Sequence, residues 1–177
     1  LHWEVWQSRR LFSLRNDRAR EGDEQLTASQ EHGVIPQKMF MEMEGRRVVQ
    51  VILNAEILKH VERGDFVISM RSFQGGIEFA THGGCISSAY VMLIPSPKIH
   101  GPFFKYLLKS ETYIQALQST TNLVRDGQAL RFQNFTMVDL PLIPLDEQKA
   151  ISSFLDVETS KIDGLVSEQR RLVELLK

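Results

Sequence analysis

A chain of 177 residues, 42% hydrophobic and 24% charged, holds one domain of ordinary size with a real core plus additional helix. Its formal net charge of −1 excludes any function that depends on global positive charge, so a polyanion partner would have to be met by one local basic face. No apolar run reaches the roughly 18 to 20 residues that span a bilayer, the opening residues do not read as a secretory signal, and the lone Cys85 has no internal disulfide partner, which fits a reducing cytoplasm.

Residues 1 to 35 read as a short amphipathic opening, Trp3-Glu-Val-Trp6 then Leu11 and Leu14, followed by a solvated loop in which Arg15, Arg18 and Arg20 mix with acids. Arg46-Arg-Val-Val-Gln-Val-Ile-Leu is a strand with a basic start. Ala55 to Val61 suggests a short helix, Gly64-Asp65 a turn, and Phe66 to Met70 a strand. Gly75-Gly76 opens another strand through Ile77 and Phe79, and Gly83-Gly84 leads into one from Ile86 to Ile94 that Pro95 and Pro97 end. Cys85 reads as a small buried strand residue. Phe103 to Leu108 and Tyr113 to Leu117 read as one or two helices, and Leu130 to Leu140 as helix or strand. Strands followed by helices indicate an α+β domain on a mixed or antiparallel sheet, with no internal repeat.

The last stretch is different. Pro144 disfavours helix before it, Asp146 is placed to cap the orphan amides, and Glu147 adds charge to the first turn. Beyond it Ile151, Leu155, Glu158, Ile162, Leu165, Gln169, Leu172 and Leu176 recur in steps of four and three. That spacing keeps one seam on one side of a helix, as a coiled coil requires. About thirty residues at 1.5 Å each span roughly 45 Å, longer than a small domain needs for its own core. Gly164 weakens the helix locally, and the polar Glu158 and Gln169 at seam positions are suited to fixing register or partner. The division expected is 1–143 for the globular domain and 144–177 for the helix. The positive charge is slightly concentrated in the former, with 16 Lys+Arg against 15 Asp+Glu before Asp146 and 5 against 7 from it onward.

Pro141-Leu-Ile-Pro-Leu-Asp-Glu-Gln-Lys-Ala-Ile, then Phe154-Leu-Asp, Lys161-Ile-Asp and Leu172-Val-Glu-Leu-Leu, closely resembles the segment that follows a target recognition domain in specificity subunits of type I restriction–modification systems. The family pattern there is P-L-P-P-L-x-E-Q-x-x-I-x-x-F-L-D, and Ile143 stands where its second proline often falls. His2-Trp-Glu-Val resembles the entry to such a domain, and Gly64-Asp-Phe-Val-Ile-Ser-Met-Arg-Ser-Phe-Gln-Gly-Gly its middle strand and turn. Family subunits typically carry two recognition domains and two such helices. One of each, behind Leu1 rather than methionine, leads us to expect a half subunit or a fragment.

The resemblance implies a noncatalytic subunit that reads half of a split double-stranded DNA target and pairs through its helix with a second recognition domain or with a copy of itself. It implies methyltransferase (M) and restriction (R) partner subunits, with S-adenosylmethionine, ATP and Mg held by them and no cofactor in this chain. The pairing residues would be Ile151, Leu155, Ile162, Leu165, Gln169, Leu172 and Leu176. The turn Arg71-Ser72-Phe73-Gln74-Gly75 is the candidate for base readout, because arginine fits guanine O6 and N7, glutamine fits adenine N6 and N7, and serine suits a phosphate or base edge. Lys38, Arg46 and Arg47 are candidate phosphate contacts. A plain polar β-turn and an ordinary solvated charge cluster account for the same residues without DNA. The corresponding alternative function is a protein–protein assembly module that dimerises through the helix.

Enzyme readings find little support. His82 and Cys85 have half a zinc spacing and no second pair, and Asp65 with Glu78 resembles a nuclease carboxylate pair that lacks a sequence-adjacent lysine. Phosphate- and dinucleotide-binding glycine motifs are absent from the sequence.

Overall fold

The ring of Phe12 is the point on which the fold converges, meeting Phe66, Phe104 and Phe135 edge-on at centroid distances of 5.5, 5.8 and 5.4 Å. Such T-shaped contacts set the positive edge of one ring against the negative face of another, and together they tie four distant segments to one core. The computed structural model describes residues 3–45, 57–69, 72–120 and 131–176.

The chain opens with β1 (Glu4–Gln7), a one-turn α1 (Ser8–Leu11) and β2 (Phe12–Arg15), then forms the hairpin β3 (Leu26–Ser29) and β4 (Gly33–Pro36) and the helix α2 (Gln37–Glu44). There follow β5 (Lys59–Val61), β6 (Phe66–Ile68), α3 (Ser72–Gly75), β7 (Glu78–Phe79), β8 (Gly84–Ile86) and β9 (Val91–Pro95). Helices α4 (Gly101–Leu107), α5 (Glu111–Ser119) and α6 (Phe132–Thr136) precede β10 (Asp139–Leu142) and the long α7 (Leu145–Leu175). The central sheet has the order β2-β9-β6-β7 with antiparallel neighbours, and three two-stranded pairs surround it: β1-β10, β3-β4 and β5-β8. This is the α+β architecture expected from the sequence.

One core lies between the central sheet and α4, α5 and α6, built on Leu11, Phe12, Phe66, Leu93, Phe104, Leu117, Phe135 and Leu140. A smaller one, of Leu26, Val34, Val61, Val67, Ala80, Ile86 and Met92, sits under the outlying pairs. Gly76 joins the α3 turn to the sheet at φ +81°, where a Cβ would strike the Leu108 carbonyl, the same oxygen that accepts the Ile77 amide at 3.2 Å. Only glycine allows that approach.

Several expectations are corrected. Residues 59 to 61 form a strand, not the end of a helix, because His60 and Val61 are buried by antiparallel pairing with Gly84 and Cys85. The single strand from Ile86 to Ile94 is two strands, interrupted by a turn in which the Tyr90 amide bonds the Ser87 carbonyl at 3.1 Å. The hairpin β3-β4 and helix α2 occupy what reads as solvated loop and unassigned sequence. Cys85 is buried in β8, as expected. The strand expected at Arg46 to Leu53 lies outside the described residues.

Candidate nucleic-acid interface and pairing helix

The turn of the β3-β4 hairpin is stabilised by Ser29, whose hydroxyl accepts the amides of Glu31 and His32 at 3.3 Å each. His32 Nε2 lies 3.0 Å from Glu44 Oε1 at the far end of α2, so α2 runs back along the hairpin and finishes beside its tip. On the other flank the tip touches α3: a Cβ on Gly75 would lie 2.5 Å from the Gln30 side chain. Lys109 closes the cluster by donating to the Gln30 carbonyl at 2.5 Å while pairing with Glu78 at 2.7 Å. The C-terminal end of α2, the hairpin tip and the α3 turn thus meet in one place.

Only part of the expected readout set is available there. Gln74 is exposed. Ser72 is 1% exposed and its hydroxyl accepts the Ser69 amide at 2.8 Å, so it holds the turn together and cannot reach a base edge; that expectation is corrected. Gly75 is half-buried and serves the close approach to Gln30. Lys38 is exposed, but it lies in the first turn of α2, about 9 Å of helix rise from Glu44. Arg46, Arg47 and Arg71 lie outside the described residues. Lys109, next to the turn, carries no sequence signal that would have singled it out.

The two residues of the nuclease-like pair are each held by a cation. Asp65 receives a two-pronged bond from Arg15 at 2.6 and 3.1 Å, and Glu78 is committed to Lys109, so the two carboxylates face different cations. Arg15 also meets Asp17 at 3.0 Å, which turns it inward to acids, while Arg20 meets Glu62 at 3.3 Å in an exposed surface pair. The buried Glu78 has its carboxyl pKa raised, chiefly by desolvation, with Lys109 opposing the shift. A carboxyl with a higher pKa folded than unfolded favours folding most while protonated. Its contribution falls as pH rises from the ordinary value of 4.5 through the raised one. The difference in unfolding free energy between wild type and Glu78→Gln should therefore shrink or reverse over that window in urea titrations; a flat difference refutes the assignment.

At the root of α7 the chain leaves the domain under tight control. Pro144 occupies the N-cap, so the helix begins before Asp146, whose carboxylate acts as first-turn charge and makes no cap hydrogen bond. Gln148 is fully buried, with its carbonyl accepting the His100 amide at 2.7 Å and its amide donating to the Lys98 and Ile143 carbonyls at 2.9 Å each. About two turns further on, the Tyr106 hydroxyl donates to Asp156 at 2.6 Å and lies 3.2 Å from Thr159, while Lys105 reaches Asp156 at 3.4 Å. The Tyr106 bond is the main reason that the Asp156 pKa is lowered. Trp3 adds an indole bond to Glu147 at 3.3 Å. A glutamine in a first helical turn ordinarily reads as solvated, which is why Gln148 escapes sequence reasoning.

Beyond Ser160 every described residue of the helix is exposed. Phe154, Ile162, Leu165, Leu172, Val173 and Leu176 all stand open to solvent, Leu165 at 62% and Leu172 at 54%. At 3.6 residues per turn these six fall within an arc of roughly 100°, an apolar stripe interrupted by Glu158 and Gln169 on a bare rod. Val166, Gln169, Arg170, Val173 and Glu174 line a shallow depression on the same rod. Of the expected pairing residues, Ile151 packs against the main core and Leu155 is half-buried, so the free seam starts at Leu155. No described helix is long and apolar enough to cross a membrane.

The chain matches the crystal structure of the HsdS subunit from Thermoanaerobacter tengcongensis with a TM-score of 0.57 and 18% identity over 92% of its length, covering 39% of that chain. It matches a chain from a structure concerned with complex assembly and conformational transition of the type I R-M system equally well, at TM-score 0.57 and 18% identity, with 92% and 40% covered. The chain thus spans about two fifths of the length of the solved chains it resembles. No protein-family model and no curated protein matches it. The likeness establishes an HsdS-like fold, helix included.

Proposed function

We propose that the chain is a target recognition domain with its spacer helix, acting as a noncatalytic part of a type I restriction–modification specificity subunit. It reads one half of a split double-stranded DNA site, and the helix pairs with an equivalent helix so that two readers are held a fixed distance apart. Methyl transfer, ATP use and cleavage belong to M and R partner subunits, which bring S-adenosylmethionine, ATP and Mg. The supporting observation is the combination of an HsdS-like fold over 92% of the chain with a 31-residue helix anchored at its root and bare beyond it.

With near-neutral overall charge, the domain supplies little phosphate attraction itself, and the M subunit is expected to provide much of it. The test is selection from a random duplex pool with the M subunit present. Wild type should enrich a short motif. Gln74→Ala should lose discrimination at one position by about 1–3 kcal/mol, and Lys38→Ala should weaken all sequences alike and reduce the salt slope by about one. Uniform, salt-sensitive binding with no motif favours the assembly-module reading instead.

A further inference from the structure

We propose that Glu31, His32 and Glu44 form a binding site for one divalent transition-metal ion of the zinc class, which pins the tip of the β3-β4 hairpin to the carboxyl end of α2. One donor atom from each residue, an imidazole nitrogen and two carboxylate oxygens, lies within 4.8 Å of the other two. A tetrahedral ion bonded at about 2.0–2.2 Å holds neighbouring donors roughly 3.3 Å apart. His32 Nε2 and Glu44 Oε1 already stand at 3.0 Å, so the remaining adjustment falls to the exposed Glu31. The donors are also held in place. The Ser29 hydroxyl accepts the amides of both Glu31 and His32, which fixes the two that come from the tip. Phe40 meets the His32 ring edge-on at a centroid distance of 6.3 Å. The side chains of His32 and Glu44 are only 19% and 27% exposed, so an ion between them is shielded from bulk water.

The local charge points to a cation independently of the donor geometry. Glu44 is the last residue of α2, where the helix dipole already places partial negative charge, and the last turn of that helix holds no basic residue. Glu31 brings a second carboxylate to the same end. Among the described residues neither carboxylate has a lysine or arginine partner, and the neighbouring Lys109 is committed to Glu78 and the Gln30 carbonyl. A neutral imidazole offsets none of that charge, whereas a divalent ion on the same three donors does. Imidazole with carboxylate suits zinc and its neighbours, while magnesium and calcium take oxygen donors. Three protein donors leave a further position for water. The tip so held carries Gln30, against which Gly75 of the α3 turn closes, so the ion steadies that turn as well.

The experiment uses the full chain, freed of metal with a chelator, and titrates it with Zn²⁺ by calorimetry before and after addition of Mg²⁺. One equivalent of Zn²⁺ should bind, and Mg²⁺ should not displace it. His32→Ala and Glu44→Gln should each weaken binding by at least about 100-fold, since loss of an outer-shell partner alone costs roughly 10–100-fold. His82→Ala, which removes another exposed imidazole, should bind as wild type does. NMR of the unaltered protein gives a second reading that needs no variant: Zn²⁺ should shift Nε2 of the assigned His32 ring. Absence of zinc binding at millimolar concentration, displacement by Mg²⁺, or binding unchanged in His32→Ala overturns the site. Motif enrichment by a protein that takes up no zinc would remove the metal and leave the DNA-reading role intact.

Discussion

Replacing Gln148 with alanine should cost the folded protein about 1–3 kcal/mol, the cost of an unsatisfied buried group, because the buried Ile143 carbonyl and the part-buried His100 amide and Lys98 carbonyl lose a partner at once. Gln148→Leu should do no better. It fills the space but leaves the His100 amide and the Lys98 and Ile143 carbonyls as unsatisfied as before. Urea denaturation should show a lower midpoint with an unchanged slope, since the surface exposed on unfolding is the same. A loss below about 1 kcal/mol in both variants would mean that water enters and replaces the side chain. Residual folded protein should also hold the long helix less firmly, since the same glutamine ties the loop before α4 to the first turn of α7.

The combined change Leu165→Glu with Leu172→Glu should abolish helix pairing and leave the domain untouched. Both side chains are exposed in the single chain, so the fold loses nothing by the change. Burying a leucine is worth about 1.5–3 kcal/mol, and four per pair of identical copies amount to roughly 6–12 kcal/mol. That range brackets the entire free energy of a micromolar association, about 8 kcal/mol. Sedimentation should show only monomer, with an unaltered urea midpoint at a concentration where wild type is also monomeric. An unchanged dimer would remove the pairing role from this seam.

The sequence was most legible where one physical rule acted without competition. The long helix is announced by Pro144, an acidic first turn and a sustained step of four and three, and it is seen from Leu145 to Leu175. The strand at Phe66 is announced by consecutive apolar, β-branched residues between turns, and it lies at the centre of the sheet. The hairpin of β3 and β4 was hidden because each strand is four residues long and Thr27, Ala28 and Ser29 are only half-buried, so no alternation stands out. Local pattern also favoured helix before Val61, where long-range pairing with β8 decides for strand. At the candidate interface the residue types were readable but their directions were not. Ser72 and Gln74 look equally available in sequence, yet Ser72 points into the turn and only Gln74 faces out. Lys109 and Gln148 act through partners distant in sequence, Gln30, Glu78, Lys98 and His100, which no local spacing reveals.

The pairing of β1 with β10 lays Gln7 beside Asp139 and Glu4 beside Leu142, the latter three residues before the rod begins. Entry and exit of the domain are thereby stitched into one two-stranded seam at a single corner. Everything between them is a closed loop of chain hung from that stitch, the arrangement in which a whole insert is exchanged with least disturbance to its surroundings. A different insert carrying the same two strands would fit the same mount, so the body between them can be replaced while the rod stays as it is.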